Sequence, residues 1–233
     1  LTDRPVVFTQ HWFPSDQVSN AAKANTKQNV FAVAPTQYMA DADDKMGIKL
    51  AAMIHHGIEL NTFRLNPEPP ENHLLFVGRI TPNKGALEAA RYAKKSGHVL
   101  HIIGKIKDNE EYYWEQIEPF VQSGDVQYLG AKTQSEVAIA MSKARAILLP
   151  FKEKEAFGLV IVEAQACGTP VIVRDIGANS ELVDNGVSGF VASGEKEFLK
   201  AIEEIDSIDR NACRNFAEQF DILKMSRQYE ELY

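Results

Sequence analysis

The sequence predicts an α/β fold: a Rossmann-like parallel sheet with helices on both faces, together with part of a second, similar lobe. From residue 74 onward, short apolar segments alternate with longer segments whose apolar residues recur at helical spacing. The short segments lack the strict alternation of a strand with one face in water, so each is expected to be buried on both faces. Buried strands separated by helices are typical of a parallel sheet.

Five strands are expected in the main lobe, and four of them are closed by a residue that interrupts regular structure. These closing residues are Gly78, Gly104, Gly130 and Pro150. Because ligands bind such sheets at the carboxyl ends of the strands, we expect a binding site in the loops after these strands. The predicted strands are residues 74–77, 99–103, 126–129, 146–149 and 170–173.

Helices are expected between these strands. Thr133 and Glu136 have the spacing of a capping box, and Gly168 follows the segment before the last strand as a C-terminal cap. The predicted helices are residues 84–96, 109–121, 133–143 and 158–166, a segment around 198–205, and the tail from 215 to 233.

The domain organisation follows from a proline-rich, polar linker at residues 66–72. Before it, short strands are expected near residues 6–8, 30–33 and 53–54, but 66 residues are too few for a complete doubly wound lobe. Because a strand is already under way near the start, we expect that further chain precedes this segment in the natural protein, or was removed from it. The predicted divisions are 1–66 (partial amino-terminal lobe), 67–214 (main lobe) and 215–233 (carboxy-terminal helix).

Composition excludes several classes of function. The formal net charge is −7, which argues against nucleic acid as the main partner. Cys167 and Cys213 are the only cysteines and have no metal or redox spacing, which favours a reducing, cytoplasmic location, with Cys167 as a buried, inert thiol. The pairs His98 with His101 and His55 with His56 fall on opposite strand faces or are adjacent, so neither indicates a metal site. Trp12 and Trp114 are expected to be packing residues.

The segment from Glu155 to Glu163 is the most informative part of the sequence. Glu155 falls in the loop after a strand, and Glu163 falls about one and a half turns into the next helix. The helix start between them, at residues 157–159, offers free N–H groups to an anion. Taken alone, the two glutamates could equally be solvated charges, although Glu163 lies on a largely apolar helix.

Residues 78–85 supply the opposite charge. Arg79 follows the end of a strand, and Lys84 begins the next helix. Two cations at a strand end can clamp a diphosphate, arginine by bidentate hydrogen bonds and lysine as a point charge. Taken alone, these residues could also belong to an ordinary surface loop.

In combination, the motifs resemble family 4 of the glycosyltransferases, which are retaining enzymes of the GT-B fold. Residues 6–11 are similar to the family's strand that ends in a pocket histidine, here His11, and residues 56–58 with Phe63 are similar to the segment that enters the second lobe. The other matching segments are residues 76–80 with 84–85, 150–163, 163–172 and 177–189.

The resemblance implies a role for each candidate residue. Arg79 and Lys84 would hold the donor diphosphate, Glu163 would accept hydrogen bonds from the ribose, and Glu155 and His11 would contact the sugar. The loop of residues 177–181 approaches the sugar on this interpretation, although Glu181 could equally cap the next helix. The remaining donor-binding residues implied by the resemblance are Gly78, Ile103, Gly104, Tyr128, Leu129, Phe157, Gly158 and Leu159.

The chain is therefore expected to be a retaining hexosyltransferase that uses a UDP- or GDP-sugar and needs neither metal nor cofactor. The acceptor is left open among a sugar, a lipid and a protein. Peripheral association with the cytoplasmic membrane face, through the missing part of the amino-terminal lobe, is also left open. The alternative is a sugar-nucleotide-binding module without catalysis of its own. A nicotinamide-binding domain is disfavoured because no strand is followed by Gly-x-Gly-x-x-Gly, and a 2-epimerase of the same architecture leaves the Glu155–Glu163 segment unexplained.

Overall fold

The computed structural model describes residues 4–17, 20, 29–106 and 110–233. Its amino-terminal part is a parallel sheet of three strands, β1 (Val6–Thr9), β2 (Val30–Ala34) and β3 (Leu50–Met53), in the order β1-β2-β3. Helix α1 (Gln37–Met46) connects β2 to β3. The strands agree with those expected from the sequence, except that β3 begins three residues before the predicted residues 53–54 and ends at Met53.

Helix α1 was not among the predicted helices. Its signals are local: Thr36 caps the amino end by accepting a hydrogen bond from the Met39 N–H, and Gly47 adopts a left-handed conformation at the carboxyl end. The apolar face is short, because only Met39 and Ala40 are buried apolar residues of the helix, and the third buried residue is Asp43. A helix with so small an apolar face gives little hydrophobic periodicity to detect.

The second, larger sheet has six strands, and its neighbouring strands pair in parallel in the order β6-β5-β4-β7-β8-β9. The predicted α/β class with a parallel sheet is therefore confirmed. The last strand was not predicted; it lies against β8 so closely that a Cβ atom on Gly189 would meet the Val171 carbonyl oxygen at 2.2 Å. The strands are β4 (His73–Val77), β5 (Val99–Ile103), β6 (Val126–Gly130), β7 (Ala146–Leu149), β8 (Val171–Arg174) and β9 (Gly189–Ala192).

Helices cover both faces of this sheet, as the sequence predicts. The predicted capping box of Thr133 and Glu136 is present. The helices are α2 (Ala86–Lys95), α3 (Glu110–Tyr112, continued by a π-helical turn Tyr113–Ile117 and by Glu118–Gln122), α4 (Gln134–Lys143), α5 (Leu159–Ala166), α6 (Glu195–Glu204), α7 (Arg210–Ala217) and α8 (Ile222–Leu232). Short 3-10 turns lie at Pro82–Lys84, Asn179–Leu182, Ile205–Ser207 and Glu218–Phe220.

Two hydrophobic clusters, one on each face, hold the helices to the sheet. On one face, Phe76 and Phe198 are fully buried among residues of α2, α3 and α6. On the other face, Met141 and Ile161 are fully buried among residues of α4, α5 and α7. Because the central strand β7 is buried along its whole length, both clusters rest on it. Apolar burial on this scale is the main contribution that stabilises such a domain.

The strand order places the connection between β6 and β7 across the sheet. From β4 the chain proceeds outward to β5 and β6, and it then returns through α4 to β7 on the other side of β4. The order therefore reverses between β4 and β7, whose carboxyl ends flank a crevice where ligands bind in sheets of this kind.

The tail differs from the single helix expected at residues 215–233. The predicted division after residue 214 lies inside α7, and the Asp221 side chain caps a separate helix, α8, by accepting a hydrogen bond from the Leu223 N–H. Between the two helices, the chain returns to the amino-terminal part: the Ile58 N–H donates to the Phe220 carbonyl (2.8 Å), and the Ile222 N–H donates to the Ile58 carbonyl (3.0 Å). Two chain segments therefore cross side by side between the two sheets.

Candidate functional site

The loops that follow β4 and β7 are joined at the crevice between these strands. The Lys152 N–H donates to the Asn83 carbonyl (2.9 Å). Gly85, at φ 82°, approaches Pro150 so closely that a Cβ atom would meet the Pro150 carbonyl oxygen at 2.3 Å. Only glycine combines this left-handed conformation with this close contact. The sequence places the loops at strand ends, and backbone contacts hold them against each other.

Lys84 and Glu155, one from each loop, form an ion pair with 2.5 Å between Nζ and Oε1. Their side chains are 17% and 22% exposed, and the Lys84 ammonium also lies 5.4 Å from the centre of the Phe151 ring. A pair that is mostly shielded from water is screened less than a surface pair, so it holds both side chains in place. The structure therefore brings together two of the residues singled out in the sequence.

Arg79 is exposed, two residues after the end of β4 and five residues before Lys84. Among the residues that the structure describes, no ion pair or side-chain hydrogen bond engages its guanidinium. Its planar group thus keeps its hydrogen-bond donors available at the edge of the crevice.

Glu163 lies on α5, mostly shielded from water. Burial raises the pKa of its carboxyl group from 4.5 to about 7, because desolvation disfavours the charged form. Within the described ranges, no hydrogen bond or ion pair joins its side chain to Lys84, Glu155 or Arg79. A carboxylate held partly desolvated and close to half-ionised at neutral pH is typical of a functional position.

The start of α5 keeps its backbone donors free of side-chain caps. Gly158 precedes the helix at φ 87°, and no side chain caps the first turn. The Phe157 side chain is buried, whereas Leu159 is 43% exposed. Residues 157–159 can therefore meet a ligand through their backbone, where the helix end favours an anion.

The carboxyl ends of β5 and β6 form the next wall of the crevice. A Cβ atom on Gly104, which follows β5, would lie 1.8 Å from the carbonyl oxygen of Gly78, which follows β4, so no side chain fits between the ends of β4 and β5. The Tyr128 hydroxyl donates to the Gly104 carbonyl (2.8 Å), and Ile103 is buried. With Leu129 half-buried beside them, these residues offer a narrow surface of backbone and ring edges.

His11 approaches the crevice from the amino-terminal part. Its ring stacks on that of His56 at 4.9 Å between centroids, and the His56 ring lies 5.1 Å from that of Phe157. Burial, together with His11 and His55, lowers the pKa of His56 to about 4, so its imidazole is neutral at physiological pH. The sequence singles out His11 but not His56, whose only signal is its place in the segment that joins the two lobes.

Glu181 does not cap the helix that follows it. Its two carboxylate oxygens accept hydrogen bonds from the backbone N–H groups of Gln37 and Tyr38, each at 2.7 Å. It therefore caps α1, which precedes it by more than 140 residues in the chain. The alternative that it caps the next helix is wrong, and the sequence could not show its true partner because only the tertiary fold brings the start of α1 to it.

The sequence also singles out the two tryptophans and Cys167. Both tryptophans are exposed, Trp12 by 80% and Trp114 by 60%, so the prediction that they are packing residues is wrong. Cys167 is buried as predicted, and burial raises the pKa of its thiol to about 12, which makes it unreactive.

In the parts of the chain that the structure describes, no three histidine, cysteine, aspartate or glutamate side chains are grouped so that they could hold a metal ion. Nor does any helix of those parts have the length and apolar character needed to cross a membrane.

A sequence profile of the family described as "Glycosyl transferases group 1" matches residues 58–220. The chain is 32% identical over 147 residues to a D-inositol 3-phosphate glycosyltransferase of Pseudarthrobacter chlorophenolicus, a match that covers 60% of this chain and 33% of that protein. It is 28% identical to an uncharacterised glycosyltransferase of Methanocaldococcus jannaschii, over 98% of this chain and 69% of the relative. The chain thus spans between about a third and about two thirds of these relatives.

Solved structures share the fold. A glycosyltransferase of Rickettsia africae superimposes with a TM-score of 0.83 at 19% identity, covering 97% of this chain and 69% of that one. Anabaena HepE, solved in complex with UDP and glucose, superimposes with a TM-score of 0.79 at 22% identity, covering 98% of this chain and 71% of that one.

Proposed function

Because the chain belongs to the group 1 glycosyl transferases, we propose that it binds a nucleotide-diphosphate sugar in the β4–β7 crevice and transfers the sugar to an acceptor with retention of configuration. The observation that carries the proposal is the shielded Lys84–Glu155 pair beside the uncapped start of α5. A cation, a carboxylate and free backbone donors at a topological switch point are the groups that a sugar diphosphate requires. The binding of UDP by Anabaena HepE supports the choice of ligand.

In this proposal Lys84 and the α5 N–H groups contact the diphosphate, and the exposed Arg79 completes the clamp. When the bond between the sugar and the diphosphate breaks, negative charge develops on the leaving phosphate oxygen. Positioned cations and backbone N–H groups stabilise that charge, so the electrostatic role of a metal ion is met by side chains. Glu155 is already paired with Lys84, so we assign it to the sugar hydroxyls and not to nucleophilic attack.

The remaining assignments concern the nucleoside and the sugar. The Glu163 carboxylate accepts hydrogen bonds from ribose hydroxyls, and the base rests on the narrow surface at Gly104 and Tyr128. His11 contacts the sugar from the amino-terminal side, held by its stacking on His56. Titration with uridine and guanosine nucleotides distinguishes between the two donor classes.

A second candidate function is a donor-binding module that transfers sugar only with additional chain. The coverage of the relatives supports it, since the match to the D-inositol 3-phosphate glycosyltransferase covers 33% of that protein. Catalysis depends on holding both reactants in the right geometry, so donor binding alone does not imply turnover.

Calorimetric titration with UDP, GDP, UDP-sugars and GDP-sugars tests donor binding. We expect Lys84→Ala to weaken binding of the preferred donor by about 1.5–3 kcal/mol, because a charge-assisted contact is lost. Arg79→Lys should also weaken it, because lysine cannot reproduce a bidentate contact. Lys200→Ala is the matched control, since that side chain is 70% exposed on α6. If no nucleotide binds, or if the Lys84 and Lys200 variants behave alike, the proposal is wrong; sugar transfer by the chain alone separates an enzyme from a module.

A further inference from the structure

The amino end of α1 is held by a residue of the other sheet's loops. Glu181 accepts hydrogen bonds from the first two N–H groups of the helix, those of Gln37 and Tyr38, and Thr36 accepts one from the Met39 N–H. The two Glu181 bonds are charge-assisted, which makes them about twice as strong as neutral ones. Because both carboxylate oxygens are engaged at 2.7 Å, Glu181 is committed to α1 and not directed into the crevice.

A second contact joins the same end of α1 to the loop after β7. The Thr36 hydroxyl donates to the Ala156 carbonyl (3.1 Å), and the Ala156 side chain packs against a cluster that contains Ala34 and Met39. Ala156 follows Glu155 directly in the chain. The start of α1 is therefore bonded to two loops of the crevice, one through Glu181 and one through Ala156.

These two loops are themselves joined beside Glu155. The Ala178 N–H donates to the Glu155 carbonyl (3.4 Å), and a Cβ atom on Gly177 would lie 3.1 Å from the Glu155 N and O atoms. Glu181 lies three residues after Ala178 in a 3-10 turn. A displacement of α1 relative to Glu181 would therefore also displace α1 relative to Glu155.

We propose that Glu181 is a positioning residue for sugar transfer. By capping α1, it holds the amino-terminal sheet, and with it His11, in a fixed position relative to the Glu155 loop. The inference rests on the proposed function of the crevice. It places Glu181 away from the donor itself, in contrast to the alternative in which the loop of residues 177–181 contacts the sugar. Loss of the carboxylate should thus impair transfer more than it impairs donor binding.

Spin labels on the two parts of the molecule test whether Glu181 holds them together. Cysteines introduced at Asp44 on α1 and Lys200 on α6, both exposed, provide the labelling sites. The native Cys167 and Cys213 are buried and carry thiols whose pKa is raised to about 12, so they remain unlabelled. We expect one narrow distance distribution with Glu181 present and a broad one in Glu181→Ala. The control is Glu203→Ala, which removes an exposed glutamate from α6 and should leave the distribution narrow.

Hydrogen exchange and kinetics give the remaining readouts. In Glu181→Gln, we expect the Gln37 and Tyr38 amides to exchange at least tenfold faster, the donor Kd to change less than threefold, and kcat to fall at least tenfold. Unchanged exchange together with an unchanged distance distribution would overturn the proposal. So would a tenfold loss of donor affinity with unchanged exchange, which identifies Glu181 as a ligand contact. If the unsubstituted chain binds no nucleotide sugar, the proposed function fails, whereas the labels and exchange still decide whether Glu181 holds α1.

Discussion

Replacement of Glu163 by glutamine should stabilise the fold and weaken donor binding. Burial raises the pKa of the Glu163 carboxyl from 4.5 to about 7, so at pH 8 the folded protein holds a charge in an unfavourable environment. At about 1.4 kcal/mol per pKa unit, this difference corresponds to about 3 kcal/mol, reduced to about 2 kcal/mol by partial exposure. A group whose folded pKa is raised loses its contribution to stability as the pH rises through that pKa. The increase in the free energy of unfolding caused by Glu163→Gln is therefore about 2 kcal/mol at pH 8 and below about 1 kcal/mol at pH 5.

Binding should change in the opposite direction. In the proposed site, the ribose hydroxyls donate to the ionised carboxylate, which at pH 6 is about one tenth populated for a pKa of about 7. The parent chain should therefore bind a nucleotide sugar about tenfold more weakly at pH 6 than at pH 8. Glu163→Gln should bind about tenfold more weakly than the parent at pH 8, because a neutral amide replaces a charge-assisted acceptor, and it should show little pH dependence.

Thermal unfolding and calorimetry measure the two effects. At pH 8 a gain of about 2 kcal/mol raises the Tm of a domain of this size by about 4–8 °C. Titration with a nucleotide sugar avoids the terminal phosphate of a free nucleotide, which itself titrates near neutral pH. A variant that melts below the parent at pH 8, or that binds the donor as tightly as the parent at both pH values, would refute this reasoning about Glu163.

Three further predictions follow from buried groups and close contacts. His56, whose pKa is lowered to about 4, contributes stability that is lost as the pH falls below 6.5. When the pH falls from 7.5 to 5.0, the free energy of unfolding, measured by urea titration, should therefore decrease by about 2 kcal/mol less in His56→Gln than in the parent. An equal decrease in the two proteins would exclude this role for His56. Asp43 is buried with its pKa raised by desolvation, so Asp43→Asn should raise the Tm at pH 7, and a lower Tm would show that the charge is required. Gly104→Ala should lower the free energy of unfolding by about 1–3 kcal/mol, because its Cβ would meet a carbonyl oxygen at 1.8 Å. Gly194→Ala is the control and should leave the free energy of unfolding nearly unchanged, because the space around Gly194 is open. Similar melting temperatures of the two variants would contradict this prediction.

Most of the main sheet could be predicted from the sequence because its signals are local. Apolar runs closed by glycine, and the capping box at Thr133 and Glu136, depend only on neighbouring residues. Parallel strands also fix the edge at which a site forms, which is why Lys84 and Glu155 were expected at the same edge. Which strand ends are neighbours was not predictable, because the return of the chain from β6 to β7 is set by the whole sheet.

The elements that were missed depend on distant partners or on weak local signals. Glu181 caps a helix far back in the chain, and the pKa of His56 is lowered by burial and by two other histidines. The tryptophan predictions failed because size and apolar character favour burial only where a helix or strand turns the side chain inward. Trp114 lies between Tyr113 and Glu115, and Tyr113 takes the buried position in its place.

The hydrogen bond between Ile58 and Phe220 indicates that the residues between them can be engineered as a unit. The family profile begins at residue 58 and ends at residue 220, and the Ile58 N–H donates directly to the Phe220 carbonyl at 2.8 Å. The segment that recurs across the family therefore enters and leaves the fold at one point. Units whose ends lie together can be excised, inserted into another chain or circularly permuted without crossing the core. A permuted chain joined between residues 58 and 220 would keep the loops after β4 and β7 and would free new ends at a loop of choice, but it would leave out His11 and α1.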